Sequence, residues 1–195
     1  MKTEYLIILA IVVFLLLRET SEALPPSEEE PLPDEFEGVD VAQLRKDLSV
    51  IRGRLSRYSS LIQRYARAND LDPHLVEAII WLESSARPDV SRREDGHRSY
   101  GLMGVTLGAA QDVGFRGRDE ALYDVETNIK YGTAYLKHLI DKFPKVKFSV
   151  PIALGIIAYN VGASRIKKTE DGRYTYPKAG RLYFNRVRAR WLLLQ

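Results

Sequence analysis

From Leu44 onward, apolar residues return at spacings of 4, 3, 4, 3, 4 and 3: Leu44, Leu48, Ile51, Leu55, Tyr58, Ile62 and Tyr65. A strand hides every second side chain and cannot use such a repeat. A helix turns through about 100° per residue and brings all of these positions to one side. The seam lasts about three heptads, near the lower limit for a coiled coil, and Gly53 interrupts it. The favoured reading is one long helix whose second half packs on a domain core. Weak self-association through residues 44–65 stays open beside it.

Helical signals dominate the rest. Asp72 can cap a helix whose first residue is Pro73, where a missing N–H costs nothing. A shorter helix follows Thr106 and ends near Gly114. Asp124 can cap the segment VETNIKYGTAYLKHLIDKF, and another helix runs from Pro151 through IALGIIAYN to a stop at Gly162. The last covers roughly Gly180 to Leu194. No segment alternates convincingly as a strand, although a small hairpin around Gly172, between Ile166 and Tyr176, is compatible with the pattern. The expected class is therefore all-α. Loops at 86–100 and 163–179 are long enough to carry function, and no internal repeat is evident.

The first 40 residues differ in kind. Lys2 precedes the apolar run LIILAIVVFLLL, residues 6–17. A spanning helix needs roughly 20 such residues, whereas a signal-peptide core has about 7 to 15. Residues 1–23 therefore read as a signal peptide, with Ser21-Glu22-Ala23 as a cleavage pattern, or as a short membrane anchor through residues 5–17. Either reading exports the rest of the chain to the periplasm or cell envelope. Residues 24–40, LPPSEEEPLPDEFEGVD, hold seven acidic residues, four prolines and no basic one. Such a stretch is expected to be an extended, solvated linker. The first 40 residues carry 2 Lys/Arg and 10 Asp/Glu, leaving 27 against 16, a net of +11, for residues 41–195. A domain this basic is drawn to polyanions: nucleic acid, anionic lipid or an anionic wall polymer. Export disfavours nucleic acid. With no cysteine, disulfides, thiolate metal sites and a Cys nucleophile are all excluded.

Within the stretch AIIWLESSARPDV, residues 78–90, a carboxylate stands in an apolar setting. With Leu75 at zero on a helical wheel, Ile79 falls at about 40°, Val76 at about 100°, and Glu83 at about 80°, inside the apolar stripe. Glu77 and Ser84 fall together on the polar face. Burial disfavours the charged form of a carboxylic acid, and the negative end of the helix dipole acts in the same direction. A protonated carboxylic acid in a cleft can serve as a general acid. The competing reading is a buried Glu83 paired with an arginine such as Arg87 or Arg98, which has no acid role. From spacing alone the two are equal. Asp89, Glu94 and Asp95 are the acids nearby that could act as a second carboxylate, but they read as solvated. The three histidines, His74, His97 and His138, lack metal-ligand spacing, and GLMGVTLG follows no strand, so no phosphate loop is indicated.

Taken in order, several pieces resemble a known family. They are Glu83-Ser84, then Ser99-Tyr100-Gly101-Leu102-Met103, then Asn128-Ile129 with Gly132 and Tyr135-Leu136, then Ala158-Tyr159-Asn160, and finally Tyr183-Phe184-Asn185-Arg186-Val187. Across roughly residues 57–190 this series resembles the soluble-lytic-transglycosylase type of lysozyme-like domain. The resemblance implies a single goose-type helical domain over 57–195, with residues 41–56 as a helical extension. It also implies cleavage of the MurNAc–GlcNAc β-1,4 bond of peptidoglycan without water, no cofactor and no metal. Glu83 would be the sole catalytic acid/base. Ser99, Met103, Tyr159 and Asn160 would contact substrate, Met103 as an apolar wall, and Tyr183 would orient or contact Glu83.

Plainer roles stand beside these. Met103 and Tyr159 read equally as core residues, Asn160 as a helix cap, Gly101 as a turn residue and Asn128 as structural. Two positions depart from the family pattern. Gly104 stands where a glutamine is usual, which puts subsite affinity in question, and Ser85 replaces the usual glycine after Glu-Ser. A non-catalytic wall-binding module on the same fold, or a hydrolysing lysozyme-like muramidase, remains the alternative.

Overall fold

The computed structural model describes residues 36–94, 96–144 and 151–195. The segment read as a signal peptide or anchor, and the linker up to residue 35, lie outside the described residues. Among the described residues seven α-helices run in order: α1 Val41–Leu55, α2 Ser59–Ala68, α3 Pro73–Ser84, α4 Leu107–Asp112, α5 Val125–Asp141, α6 Pro151–Val161 and α7 Lys178–Leu194. Between α3 and α4 lie three short strands, β1 Ser91–Glu94, β2 His97–Tyr100 and β3 Val105–Thr106. They form an antiparallel sheet in the order β1-β2-β3. A two-stranded hairpin, β4 Lys167–Lys168 and β5 Tyr174–Thr175, precedes α7. The fold is thus mostly α, as expected, with one small sheet over 91–106 that the expectation leaves out. The hairpin at Gly172 lies where the turn pattern allows one. The 91–106 sheet does not show in the pattern, because its strands are two to four residues long and polar.

The heptad seam is not one helix. It breaks at a 3-10 turn, Ser56–Tyr58. There the Ser56 hydroxyl bonds back to the Gly53 carbonyl at 3.0 Å. A serine competing locally for a backbone carbonyl, with a glycine at that position, loosens the helical ladder. The seam also faces the domain along its whole length. Leu44, Ile51 and Leu55 belong to the same apolar cluster as Ile62, Leu75 and Ile79. The residues leading into α1 are docked as well, in contrast to the solvated linker expected there. Glu37 meets Arg181 at 3.0 Å and Lys178 at 3.5 Å, Phe36 lies under Arg188, and Asp40 caps α1 by accepting from Gln43 N–H at 2.9 Å. The basic start of α7 gives these acids partners.

At the centre is α3, whose Leu75, Val76, Ala78, Ile79, Ile80 and Trp81 are all buried. A helix enclosed on this much of its surface is positioned by packing more than by propensity, and each buried Leu or Ile contributes about 1.5–3 kcal/mol. Its start follows the sequence: Asp72 Oδ1 accepts from His74 N–H at 2.8 Å, and Pro73 occupies the first turn. Its end turns sharply. Ser85 and Ala86 both take left-handed conformations, with φ of 53° and 57°, and Ser85 N–H bonds back to Trp81 O at 3.0 Å. Two arginines satisfy the last carbonyls: Arg54 donates to Ser85 O at 3.2 Å and Arg87 to Ser84 O at 3.3 Å. Cationic donors at this end suit the helix dipole.

Antiparallel to α3 runs α7, bonded to it near both ends. Trp191 Nε1 donates to Asp72 Oδ2 at 2.7 Å, at the start of α3. Eleven residues along α3, Tyr183 meets Glu83.

Candidate active site

Glu83 lies in the last turn of α3 with its side chain 16% exposed. Oε1 accepts a hydrogen bond from the Tyr183 hydroxyl at 2.6 Å. Oε2 lies 3.8 Å from Nη1 of Arg92 on β1. The arginine partner that the sequence allowed is thus present, as Arg92; Arg87 instead caps α3, and Arg98 stands opposite Arg93 in the hairpin. Ser84, assigned by the wheel to the polar face, is 2% exposed. Its hydroxyl sits within hydrogen-bond distance of Ile80 O (3.0 Å) and Leu102 O (2.9 Å). The wheel misjudges it because the segment 101–104 packs over that side of α3.

That segment is fixed by Asn128, which is fully buried on α5. Asn128 Nδ2 donates to Tyr100 O at 2.8 Å and Leu122 O at 2.7 Å, and Oδ1 accepts from Met103 N–H at 2.8 Å. One amide thereby satisfies three buried backbone groups that would otherwise carry a desolvation cost. Met103 itself is 0% exposed. The apolar wall expected of it is a core contact, and what it presents at this point is backbone. Its carbonyl accepts from the Tyr159 hydroxyl at 3.0 Å, and the Tyr159 ring sits 5.8 Å from that of Tyr135.

Gly104 lies beside the carboxylate. Its φ is +61°, and a Cβ built there would stand 2.8 Å from Glu83 Oε2. Glycine is favoured by the left-handed backbone, and a side chain there would have to displace the Glu83 carboxylate. A glutamine there would adopt a strained left-handed backbone and push the Glu83 carboxylate aside.

Both phenols near the acid are held un-ionised. Burial, and after it the charge of Glu83, pushes Tyr183 and Tyr159 well above the ordinary tyrosine value. Each therefore remains a hydroxyl donor over the whole range in which a glycan is handled. Ser99 is half-buried on β2, with Arg92 as its register partner on one side and Thr106 on the other. Directly paired residues share a face of a sheet, so Arg92, Ser99 and Thr106 form one row, and Arg92 marks that row as facing Glu83. Asn160 is exposed at the end of α6, one position past Tyr159.

The structure thus gathers Glu83, Tyr183, Tyr159 and the backbone of Met103 into one cluster, with Ser99 on its rim. Sequence reasoning misses Arg92 and the close approach of Gly104. Among the acids of the 86–100 loop, Asp89 is exposed, while the side chains of Glu94 and Asp95 lie outside the described residues. A separate cavity of about 330 Å³, bordered by Asp70, Asp72, Lys137, Asp141 and Phe143, includes none of these groups.

Comparison with known proteins places the fold in a family. The family model described as the transglycosylase SLT domain matches residues 60–181. Over 127 residues the chain is 31% identical to the membrane-bound lytic murein transglycosylase E of Buchnera aphidicola, covering 61% of this chain and 56% of that protein. Over 139 residues it is 28% identical to the membrane-bound lytic murein transglycosylase F of Desulfosudis oleivorans, covering 71% of this chain and 28% of that one. The chain therefore spans about half the length of the first relative and about a quarter of the second. An inactive mutant of lytic transglycosylase Slt from Pseudomonas aeruginosa superposes with a TM-score of 0.57 at 20% identity, over 80% of this chain and 30% of that one, which shows a shared fold. By sequence and by fold, the chain belongs to the transglycosylase SLT domain family.

Proposed function

We propose that the protein is a lytic transglycosylase that cleaves the MurNAc–GlcNAc β-1,4 bond of peptidoglycan and leaves a 1,6-anhydro-muramoyl end, with Glu83 as its single acid/base. The observation that carries this is the placement of Glu83: a mostly buried carboxylate on the central helix of a family domain, bonded to a phenol that stays protonated. Relatives named as lytic murein transglycosylases supply the substrate class.

In the first half of the reaction the Glu83 carboxyl gives its proton to the glycosidic oxygen as the C1–O4 bond breaks, and the GlcNAc 4-hydroxyl leaves. The acetamido oxygen of the muramoyl sugar supports the electron-poor C1. In the second half the Glu83 carboxylate takes the proton of the same sugar's 6-hydroxyl as O6 bonds to C1. The acid is regenerated, and no water enters. A second carboxylate is not needed, because the substrate's acetamide and its own hydroxyl do that work. Tyr183 orients the carboxylate, while Ser99, Tyr159 and Asn160 border the sugar. Relatives named as membrane-bound support an envelope location. Among the described residues no helix is long and apolar enough to cross a membrane.

Digestion of purified peptidoglycan by the full chain tests this, with products weighed by mass spectrometry. Anhydro ends are expected; products one water heavier would mark a hydrolase. Glu83→Gln is expected to lower turnover by at least about 10²–10⁴-fold while glycan binding persists. Undiminished turnover in that variant would remove Glu83 from the chemistry. A wild-type chain that binds peptidoglycan and never cuts it would indicate a binding module.

A further inference from the structure

We propose that Arg92 is a specificity residue, which binds a carboxylate carried by the muramoyl sugar at the bond to be cut; this rests on the role given above to Glu83. Arg92 stands half-exposed on the face of β1 that looks toward the acid, and its ion pair among the described residues is with Glu83 Oε2 at 3.8 Å. That separation is beyond hydrogen-bond reach, and loose pairs of this kind do little to hold a fold. The guanidinium has five donors in a fork shaped for a carboxylate, and this contact uses them poorly.

The rest of the hairpin points the same way. Arg93 and Arg98 are register partners on its opposite face, both exposed and without an acidic partner among the described residues. Like charges placed directly across a strand pair are unfavourable. Three arginines on one short hairpin beside the acid make this edge of the site a place for a ligand of opposite charge.

Glycan chemistry selects the ligand. An N-acetylglucosamine unit is neutral and has no group that calls for a guanidinium. A muramoyl unit differs from it by a lactyl ether on O3, two ring carbons from the C1 that is cleaved. The lactyl group ends in a carboxylate, or continues into a peptide that bears carboxylates. A charge 3.8 Å from the acid that serves C1 is well placed to meet either one. When Arg92 turns to the substrate it withdraws a positive charge from Glu83. The acid thus loses this cationic neighbour when a muramoyl unit is bound, and a neutral glycan does not bring this about.

Calorimetric titration of the full chain in the Glu83→Gln background reads the interaction without turnover. Three ligands serve: a chitin tetrasaccharide, a peptide-free muramoyl tetrasaccharide, and the same tetrasaccharide carrying its peptides. Adding Arg92→Ala is expected to weaken a carboxylate-bearing ligand about tenfold or more and to leave the chitin tetrasaccharide unchanged, with Arg92→Lys recovering part of the loss. A loss with the peptide-free ligand assigns the lactyl carboxylate; a loss confined to the peptide-bearing one assigns the peptide. In the Glu83 enzyme, Arg92→Ala should raise KM for the same substrates. Equal weakening of all three ligands, or of none, overturns the proposal. Because the binding measurement needs no cleavage, a chain that fails to cut peptidoglycan counts against the proposed reaction and not against this inference.

Discussion

The Tyr183 hydroxyl donates to Glu83 Oε1 at 2.6 Å across 100 residues of chain, so the acid and the group that orients it come from opposite ends of the domain. A hydrogen bond to a charged group contributes about 1.5–3 kcal/mol. Tyr183→Phe keeps the ring and its packing and removes only the donor. Turnover on peptidoglycan is expected to fall roughly 10- to 100-fold, with KM little changed and the same anhydro products. Because burial and the charge of Glu83 hold the Tyr183 phenol well above its ordinary value, the wild-type rate should show no loss from phenol ionisation up to about pH 10. A rate profile that fell with Tyr183 present and stayed flat in Tyr183→Phe would contradict this.

Gly104 is expected to resist restoration of the family residue. Gly104→Gln and Gly104→Ala each place a Cβ against Glu83 Oε2 on a left-handed backbone. Each should cost about 1–2 kcal/mol of stability, seen in urea melts, and each should lower turnover. A more active Gly104→Gln enzyme would show that the carboxylate has room to retreat.

Asn128→Ala strips three buried backbone groups of their partner. Each orphaned group costs about 1–3 kcal/mol, so a loss of roughly 3–5 kcal/mol and a fall in Tm of about 10 °C are expected. Thermal melts with peptidoglycan digestion check whether activity is lost along with the fold of the 101–104 segment.

Capping at α5 carries a pH signature. Thr127 N–H bonds Asp124 Oδ1 at 2.8 Å and holds its carboxyl below the usual aspartate value. A depressed folded value means that the stabilisation is present above the unfolded aspartate pKa and is lost as pH falls through the folded one. Asp124→Ala should therefore cost about 0.5–1 kcal/mol at neutral pH. The difference between the two proteins should vanish on acidification to well below pH 3.8.

Ser85 occupies a left-handed position, with φ of 53°, where the family usually has glycine. Ser85→Gly should stabilise the protein by up to about 1 kcal/mol, measured by chemical denaturation. An unchanged or lowered midpoint would mean that the Arg54 bond to Ser85 O already offsets the strain.

Much of this is legible in the chain because helices advertise themselves locally. Asp72, Pro73 and Asp124 announce their helix starts, and the apolar stripe around Ile79 announces which side is covered. Glu83 stands out because a charge in that stripe breaks the pattern. The wheel fails at Ser84 because it knows one helix at a time, and the segment laid over that face comes from residues 101–104. The small sheet is hidden for a related reason: SRRE and HRSY carry no alternating apolar face, so their pairing depends on the turn and on the neighbour β3. Arg92 emerges only once the register places it beside Ser99. The family position of Met103 suggests an open surface, while its packing is decided by Asn128 and α5.

The pairing of α3 with α7 has a consequence for when the protein becomes competent. Glu83 lies inside the span matched by the family model and Tyr183 just past it. Folding intermediates that have formed α3 but not yet received α7 would expose Trp81 and leave the carboxylate without its phenol. The acid should therefore reach its oriented, buried form in a single step with closure of the domain, and not before α7 has docked.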